Sequence, residues 1–388
     1  MTSLRETAAP PSRRYPTPTS AAAAGRAALH HPWTSLIVLA LLVKVLLITL
    51  TLVAFGAAPD PISALARTWD QWDAQHYLYL ATHGYAASGD ARNLIAFFPL
   101  YPALIGAVAA TGLGARVAAL LISNVAGVLA AIALYEVARQ DDEERAAWRA
   151  AAFFTVFPTA YFLLVGYTEA LFCALAFSAV LLARRRNWVG AGMVGGLAAA
   201  ARLTGSALLP FLVVEALASR QVRRSLSQVA LGASLIGLGF AVYLATNQLV
   251  LGDAFAFVAV QREHWAHRLS APWVGFASAM RSLGWRVPWE KLTVGAGEMV
   301  GGVTSYATAA LSWIRLRPSD AVYATVVTVM VTFVPFWLSI PRYLLAMYPL
   351  FLLVGRIGSR WLYLALVITS LLGLVVFGLA FGLGYWAF

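Results

Sequence analysis

The sequence predicts an all-α polytopic membrane protein, a bundle of about 11 transmembrane helices, with 12–13 as the alternative count. Three observations predict it. Of 388 residues, 61% are hydrophobic and only 12% charged, against about 45–50% and about 25% in soluble globular domains. The mean hydropathy is +0.74. The 13 Trp, 15 Tyr and 20 Phe suit a protein with two membrane interfaces to anchor. Charge at half the usual density cannot cover a water-facing surface of this size. A soluble enzyme, a disordered protein and a secreted disulfide scaffold are excluded together. The one cysteine, Cys173, lies in an apolar run and can form no disulfide within the chain.

Residues 1–33 are rich in Ala, Pro, Ser and Thr and carry Arg5, Arg13, Arg14 and Arg26. Such a segment is too polar to pack and reads as a disordered cytoplasmic tail. The apolar run from Trp33 to Phe55 is long enough to span, so it reads as a retained first helix and not as a signal peptide. A basic tail before it places the N-terminus in the cytoplasm. Residues 34–388 then read as a single membrane domain. Spans are expected near 34–56, 115–138, 149–166, 168–183, 188–205, 206–219, 226–251, 293–315, 319–339, 342–356 and 361–386.

The arginines test the alternation. Clusters occur at Arg139/Arg145/Arg149, Arg184–Arg186, Arg220/Arg223/Arg224, Arg315/Arg317 and Arg356/Arg360. With 11 spans every cluster falls on the cytoplasmic side, as membrane topology requires. Counting Phe97–Leu113 as a further span would put Arg184–Arg186 outside, so that segment reads as a helix lying in, or dipping into, the outer interface. The net charge of +11 is thus scattered through short loops as a topology signal and not gathered on a nucleic-acid-binding face. Two outer segments, about 57–114 and 252–293, are long. Six tryptophans in them (Trp69, Trp72, Trp265, Trp273, Trp285, Trp289) argue for ordered, helical loops. The Gly-rich stretch Gly190–Gly196 falls within a span and reads as helix packing.

The chemistry-bearing residues concentrate on the outer side. Asp70, Asp73 and His76 follow one another at intervals of three, which on a helix sets them on one face. Trp69, Trp72 and Tyr77 would lie at headgroup depth. A carboxylate held among aromatic walls at the bilayer edge is partly desolvated, which suits a general base; a solvated loop is the plainer alternative. Asp70, Asp73 and His76 are of mixed type and form no ligand signature, so no metal is expected, though none is excluded. Lys44, Glu169, Arg202 and Arg342 fall within or at the ends of spans. Ionised groups there face protein or water, and either work or fix helix packing. Glu136 and Glu215, near cytoplasmic ends, read as solvated. The segment Gln261–Arg268, with His264, is either a wet loop or part of the same outer constellation. A site there has no ready nucleotide supply, and its substrates should arrive through the membrane as lipids. A transporter or lipid flippase with Lys44 and Arg202 along its path is the competing reading. It calls for deep counter-charges and repeated halves, and no repeat is evident.

Trp72-Asp-Ala-Gln-His-Tyr-Leu-Tyr-Leu-Ala-Thr-His-Gly-Tyr85, followed by Ala96-Phe-Phe-Pro-Leu-Tyr-Pro102, resembles the PIG-V family, the second mannosyltransferases of GPI-anchor synthesis and their bacterial relatives. Phe157-Pro with Tyr167-Thr-Glu-Ala-Leu-Phe172, Ala201-Arg-Leu-Thr-Gly205, Gln261–Trp273 and Pro341-Arg-Tyr343 resemble further family blocks. After Arg202 the chain reads Leu-Thr-Gly where the family often has Ser/Asn-Gly. The resemblance implies a GT-C-type membrane glycosyltransferase. It would move mannose from polyprenyl-phosphate-mannose to a glycolipid or lipid-linked glycan on the extracytoplasmic side, inverting the anomeric centre to give an α-mannoside. It puts the base at Asp73 and not at Asp70, which on its own spacing is left as a possible secondary acid. Arg202, Arg342 and His264 would neutralise the leaving phosphate, His76 would orient Asp73 or hold a sugar hydroxyl, and Trp72 and Tyr77 would stack on sugar. Glu169 and Gln261 complete the substrate-binding set. The donor is a substrate, and no cofactor is implied.

Overall fold

The structure is a computed structural model that describes residues 32–55, 68–219 and 222–388. The tail expected over 1–33 lies outside the described residues except for Pro32 and Trp33, which open the first helix. Arg220 lies outside them as well. Among the described residues the secondary structure is helical throughout, with no strand.

Helix α1 (Pro32–Phe55) is followed by α2 (Asp73–His83), a 3-10 helix (Asp90–Ala96), α3 (Leu100–Ala109), α4 (Ala115–Ala138), α5 (Glu144–Thr155), α6 (Thr168–Arg184) and α7 (Trp188–Ala201). A 3-10 turn (Leu203–Ala207) leads to α8 (Leu208–Ala218), then α9 (Val222–Leu251), α10 (Ala256–His264) and α11 (Pro272–Ser282). A π-helical segment (Lys291–Gly297) enters α12 (Glu298–Arg315), followed by α13 (Pro318–Thr332), a helical turn (Ile340–Tyr343), α14 (Tyr348–Gly355) and α15 (Arg360–Gly382). Among the described residues both long connecting segments are largely helical, carrying α2–α3 and α10–α11.

Among the described residues, four helices are long and apolar enough to cross a membrane alone: Pro32–Ala54, Ala115–Ala138, Ser225–Leu251 and Arg360–Gly382. The pair Asp90–Ala96 and Leu100–Ala109, bent by 111°, is a broken span or a re-entrant loop, in the place where the sequence suggested a dipping helix. Over several other expected spans the helices are shorter. Over 149–166, α5 stops at Thr155 and a 3-10 turn covers Ala160–Leu163, because Pro158 lacks an N–H and disfavours helix at the residue before it. Over 188–205, Arg202 is extended (φ −155°, ψ 149°) and ends α7. Over 319–339, α13 ends at Thr332.

Helices α7 and α9 touch through glycines. A Cβ on Gly239 would lie 1.9 Å from the Gly196 carbonyl oxygen, and one on Gly192 would lie 2.3 Å from Gly232 Cα. Backbones this close gain the dispersion contacts that hold helices together in lipid.

Charged groups gather at both ends of α6. At its C-terminal end the buried Arg184 donates to both carboxylate oxygens of Asp320 at 2.7 Å and to the Val137 carbonyl. Arg317 bonds Asp141 and, at 2.7 Å, Glu215, while Arg356 bonds Asp142 at 2.8 Å. Two sequence expectations are corrected here. Glu215 is not solvated but buried, also accepting from Ser319. Arg184 is not a loop charge but a fully covered ion-pair partner. Charges at this depth persist because each is paired and hydrogen-bonded. Glu136 accepts from Trp33 and Arg185. Lys44 donates to Asn124 O and Oδ1 at 2.9 Å and to Leu163 O at 3.3 Å. It ties α1 to α4 and the turn after α5, with its ammonium satisfied.

Candidate active site

The other end of α6 begins at Thr168-Glu169, 15 residues before Arg184 and so about 22 Å away along the axis. Here the four ions singled out in the sequence meet. Asp73 is the first residue of α2. Its backbone N–H donates to Tyr167 Oη at 3.1 Å, and that hydroxyl donates to Gln71 O at 3.0 Å. The tyrosine just before α6 therefore pins the turn that presents the carboxylate. Arg342 Nη1 donates to Asp73 Oδ2 at 2.9 Å, and its Nε lies 3.4 Å from Glu169 Oε1. Arg202 Nη1 bonds Glu169 Oε1 and, at 2.9 Å, Thr168 Oγ1. The Tyr77 hydroxyl lies 3.3 Å from the same Thr168 oxygen. Glu169 is buried behind the two guanidiniums and holds them side by side against their repulsion.

Some of these groups line a cavity of about 560 Å³. Asp73, Tyr77, Arg202, Gln261, Arg268 and Arg342 line it, together with many apolar side chains such as Leu203, Val258, Leu269, Val334 and Leu338.

Several expected roles shift. Asp70 does not share a helix face with Asp73. The chain turns at Trp72 (φ 52°, ψ −122°) before α2 starts, so Asp70 points elsewhere and pairs with Arg116. Burial pushes the Asp70 carboxyl above the usual carboxylate range, and Arg116 draws it partly back. Trp72 is 43% exposed, stands edge-on to Trp386 at 5.2 Å, and does not line the cavity. His76 packs on Phe97 at 5.1 Å, also off the cavity wall. His264 is exposed at the end of α10. The chain reverses at Ala266 (φ 54°), and it is His267 that enters the wall, its Nδ1 2.8 Å from Gln261 Oε1. Burial and the charge of Arg342 lower the His267 pKa.

Glu298, absent from the sequence-derived site, holds Arg342 in place. It is fully buried in the first turn of α12. Its oxygens accept the backbone N–H groups of Ser339 at 2.6 Å and Ile340 at 2.9 Å. Ser339 is left-handed (φ 71°) and caps the turn carrying Arg342. The sequence signal was an acid inside an otherwise apolar expected span. Glu298→Ala strands two buried N–H groups and is expected to cost about 2–4 kcal/mol of stability. Thermal unfolding in detergent checks this, with Glu298→Gln falling between alanine and wild type; an unchanged midpoint for alanine would remove the cap.

Among the described residues, no group of three or more His, Cys, Asp or Glu is placed to hold a metal ion.

The fold and site define a multi-span helical membrane protein with a charged cavity at one end of its bundle. Residues 59–283 match the Mannosyltransferase (PIG-V) family, and the chain belongs to that family. The match includes Asp73, Glu169, Arg202 and Gln261, whereas Arg342 and Glu298 lie beyond it. The chain is 35% identical over 170 residues to GPI alpha-1,6-mannosyltransferase 2 of Rattus norvegicus, covering 41% of this chain and 34% of the relative. It is 32% identical over 155 residues to GPI mannosyltransferase 2 of Yarrowia lipolytica, covering 38% and 41%. It is 30% identical over 221 residues to the Homo sapiens GPI alpha-1,6-mannosyltransferase 2, covering 50% and 44%. The chain thus spans less than half the length of these relatives. Among solved structures it is similar to the Archaeoglobus fulgidus oligosaccharyltransferase, at 14% identity and a TM-score of 0.47, covering 88% of this chain and 53% of that one.

Proposed function

We propose that this chain is a GT-C-type membrane mannosyltransferase using polyprenyl-phosphate-mannose as donor and a lipid-linked glycan as acceptor, on the extracytoplasmic side. The observation that carries the reading is the Asp73–Arg342 contact in the lining of a cavity that combines charged groups with many apolar side chains. An apolar wall suits a polyprenyl tail, and paired arginines suit its phosphate, since a planar guanidinium bonds two phosphate oxygens at once. The arginine loops gathered at the far end of α6 support an extracytoplasmic site.

In this mechanism Arg342 holds Asp73 before the donor arrives. An incoming donor phosphate draws the guanidinium to itself and frees Asp73 Oδ2. The acceptor hydroxyl attacks the anomeric carbon from the face opposite the phosphate while Asp73 takes its proton. The bond from anomeric carbon to phosphate oxygen breaks, and polyprenyl phosphate leaves with the electron pair against Arg342 and Arg202. One displacement inverts the centre, so a β-linked donor yields an α-mannoside. No cofactor takes part, and the lipid-phosphate sugar is consumed as substrate. Purified protein in nanodiscs, supplied with polyprenyl-phosphate-mannose and octyl α-mannoside, should form a dimannoside whose new linkage is α by NMR. Lipids from a deletion strain should contain a glycolipid short of one hexose. No transfer, together with an unchanged lipid profile, would remove the reading.

His267 adds a pH dependence. Burial and the facing Arg342 charge hold its imidazole pKa below the ordinary value, and its Nδ1 meets Gln261. A bound phosphate anion stabilises the imidazolium and raises its pKa, so binding takes up a proton and tightens as pH falls. The donor KM is expected to decrease as pH falls from neutrality through the range in which imidazole titrates, and His267→Gln should flatten that trend. A wild-type KM independent of pH over this range would exclude it.

A further inference from the structure

We infer that the Thr204 hydroxyl is a substrate contact of this cavity, donating with Arg342 Nε to the phosphate oxygens of the lipid-linked donor; the inference deepens the reading above and rests on it. Thr204 is 4% exposed and lines the cavity, and its Oγ1 has no hydrogen-bond partner among the described residues. Arg342 Nε is likewise buried without a bond, since the nearby Glu169 oxygen at 3.4 Å does not receive it. Buried donors left unmade are destabilising and uncommon in native proteins. Two of them stand in the wall that also holds the candidate base.

The local backbone explains why this threonine is unpaired. Hydroxyls in helices usually bond a carbonyl one turn back, as Thr332 does to Thr328 O at 2.7 Å and Ser206 to Leu203 O at 2.7 Å. Thr204 follows the extended Arg202, which ends α7, so no helical carbonyl stands behind it. The turn cannot relax toward one, because Gly205 is pressed on the end of α7: a Cβ there would lie 2.5 Å from the Ala198 carbonyl. The hydroxyl is thus fixed two residues from Arg202. The Arg202 guanidinium lies 5.0 Å from the Tyr343 ring, and that of Arg342 lies 5.9 Å from the same ring. Two cations and an unpaired hydroxyl donor beside an apolar wall fit a phosphate ester with a hydrocarbon tail.

The test uses full-length protein in nanodiscs and polyprenyl phosphate, without sugar, as the probe. Thr204→Val keeps the shape and removes the donor. It is expected to weaken binding roughly tenfold while leaving the thermal midpoint unchanged or higher, because an unmade buried hydroxyl has been replaced by a methyl group. Thr204→Ser should restore affinity. A valine variant that binds like wild type overturns the inference, and so does one whose midpoint falls, since the hydroxyl would then have a partner in the empty protein. Unchanged affinity for polyprenyl phosphate with weakened use of the mannosyl donor would move the contact to the sugar and overturn the phosphate assignment. Wild-type protein that binds no polyprenyl phosphate brings down the lipid-phosphate reading itself, before any variant is compared.

Discussion

Asp73→Asn is expected to abolish mannosyl transfer in a protein that remains folded. Asparagine keeps the size of the side chain, and its carbonyl oxygen can still accept from Arg342 Nη1, now at 2.9 Å from Asp73 Oδ2. Tyr167 grips the Asp73 backbone and not its side chain, so the turn into α2 survives. What the amide cannot do is take a proton from the attacking hydroxyl. Loss of a positioned base removes about 10²–10⁴-fold in rate, so turnover should fall by at least about two orders of magnitude. The thermal midpoint and the affinity for polyprenyl phosphate should stay near wild type. Asp70→Asn provides the contrast. Asp70 is held by Arg116 outside the cavity wall, so its loss should be mild. Full transfer activity in Asp73→Asn would remove the base assignment, and a larger loss in Asp70→Asn would move the base there.

The convergence of Asp73, Glu169, Arg202 and Arg342 was legible in the sequence because a membrane makes charge conspicuous. In a chain so poor in charge, an ion near a span end needs a partner, and arginine-marked loops told which ends lie together. The same logic underestimated the opposite end of the bundle. Arg184 and Glu215 looked like solvated loop charges, yet they are covered by α13 and the loop before it. Contacts across more than 100 residues leave no local mark. Spacing misled where the backbone left regular geometry. Asp70 and Asp73 fit a helical interval, but the left-handed Trp72 separates them. His264 and His267 differ by one turn, and the reversal at Ala266 decides which enters the wall. The breaks in the expected spans were partly announced by Pro158 and Pro335. The extended Arg202 was not, and it leaves Thr204 without a carbonyl.

Arg342→Ala should weaken donor use far more than acceptor use. The guanidinium touches Asp73 with one nitrogen and stands beside Glu169 with another, so it reaches from the base to the groups placed for the phosphate. Removing it takes away charge-assisted hydrogen bonds worth about 1.5–3 kcal/mol each, so the donor KM is expected to rise roughly 10- to 100-fold. The acceptor KM should move by less than about threefold, because in the proposed mechanism the acceptor meets Asp73 and not the arginine. Turnover should also fall, since charge that grows on the leaving phosphate loses its nearest counter-ion. Arg342→Lys separates charge from geometry. Lysine restores a positive point charge but not the planar fork, and Glu298 still fixes the turn through Ser339 and Ile340 whichever residue follows. It should therefore recover part of the turnover and little of the donor affinity. Small, equal effects on donor and acceptor would make Arg342 a packing charge. Of the two guanidiniums beside Glu169, Arg202 would then be the one left to the lipid phosphate, and its Nη1 is already bonded to Glu169 and Thr168.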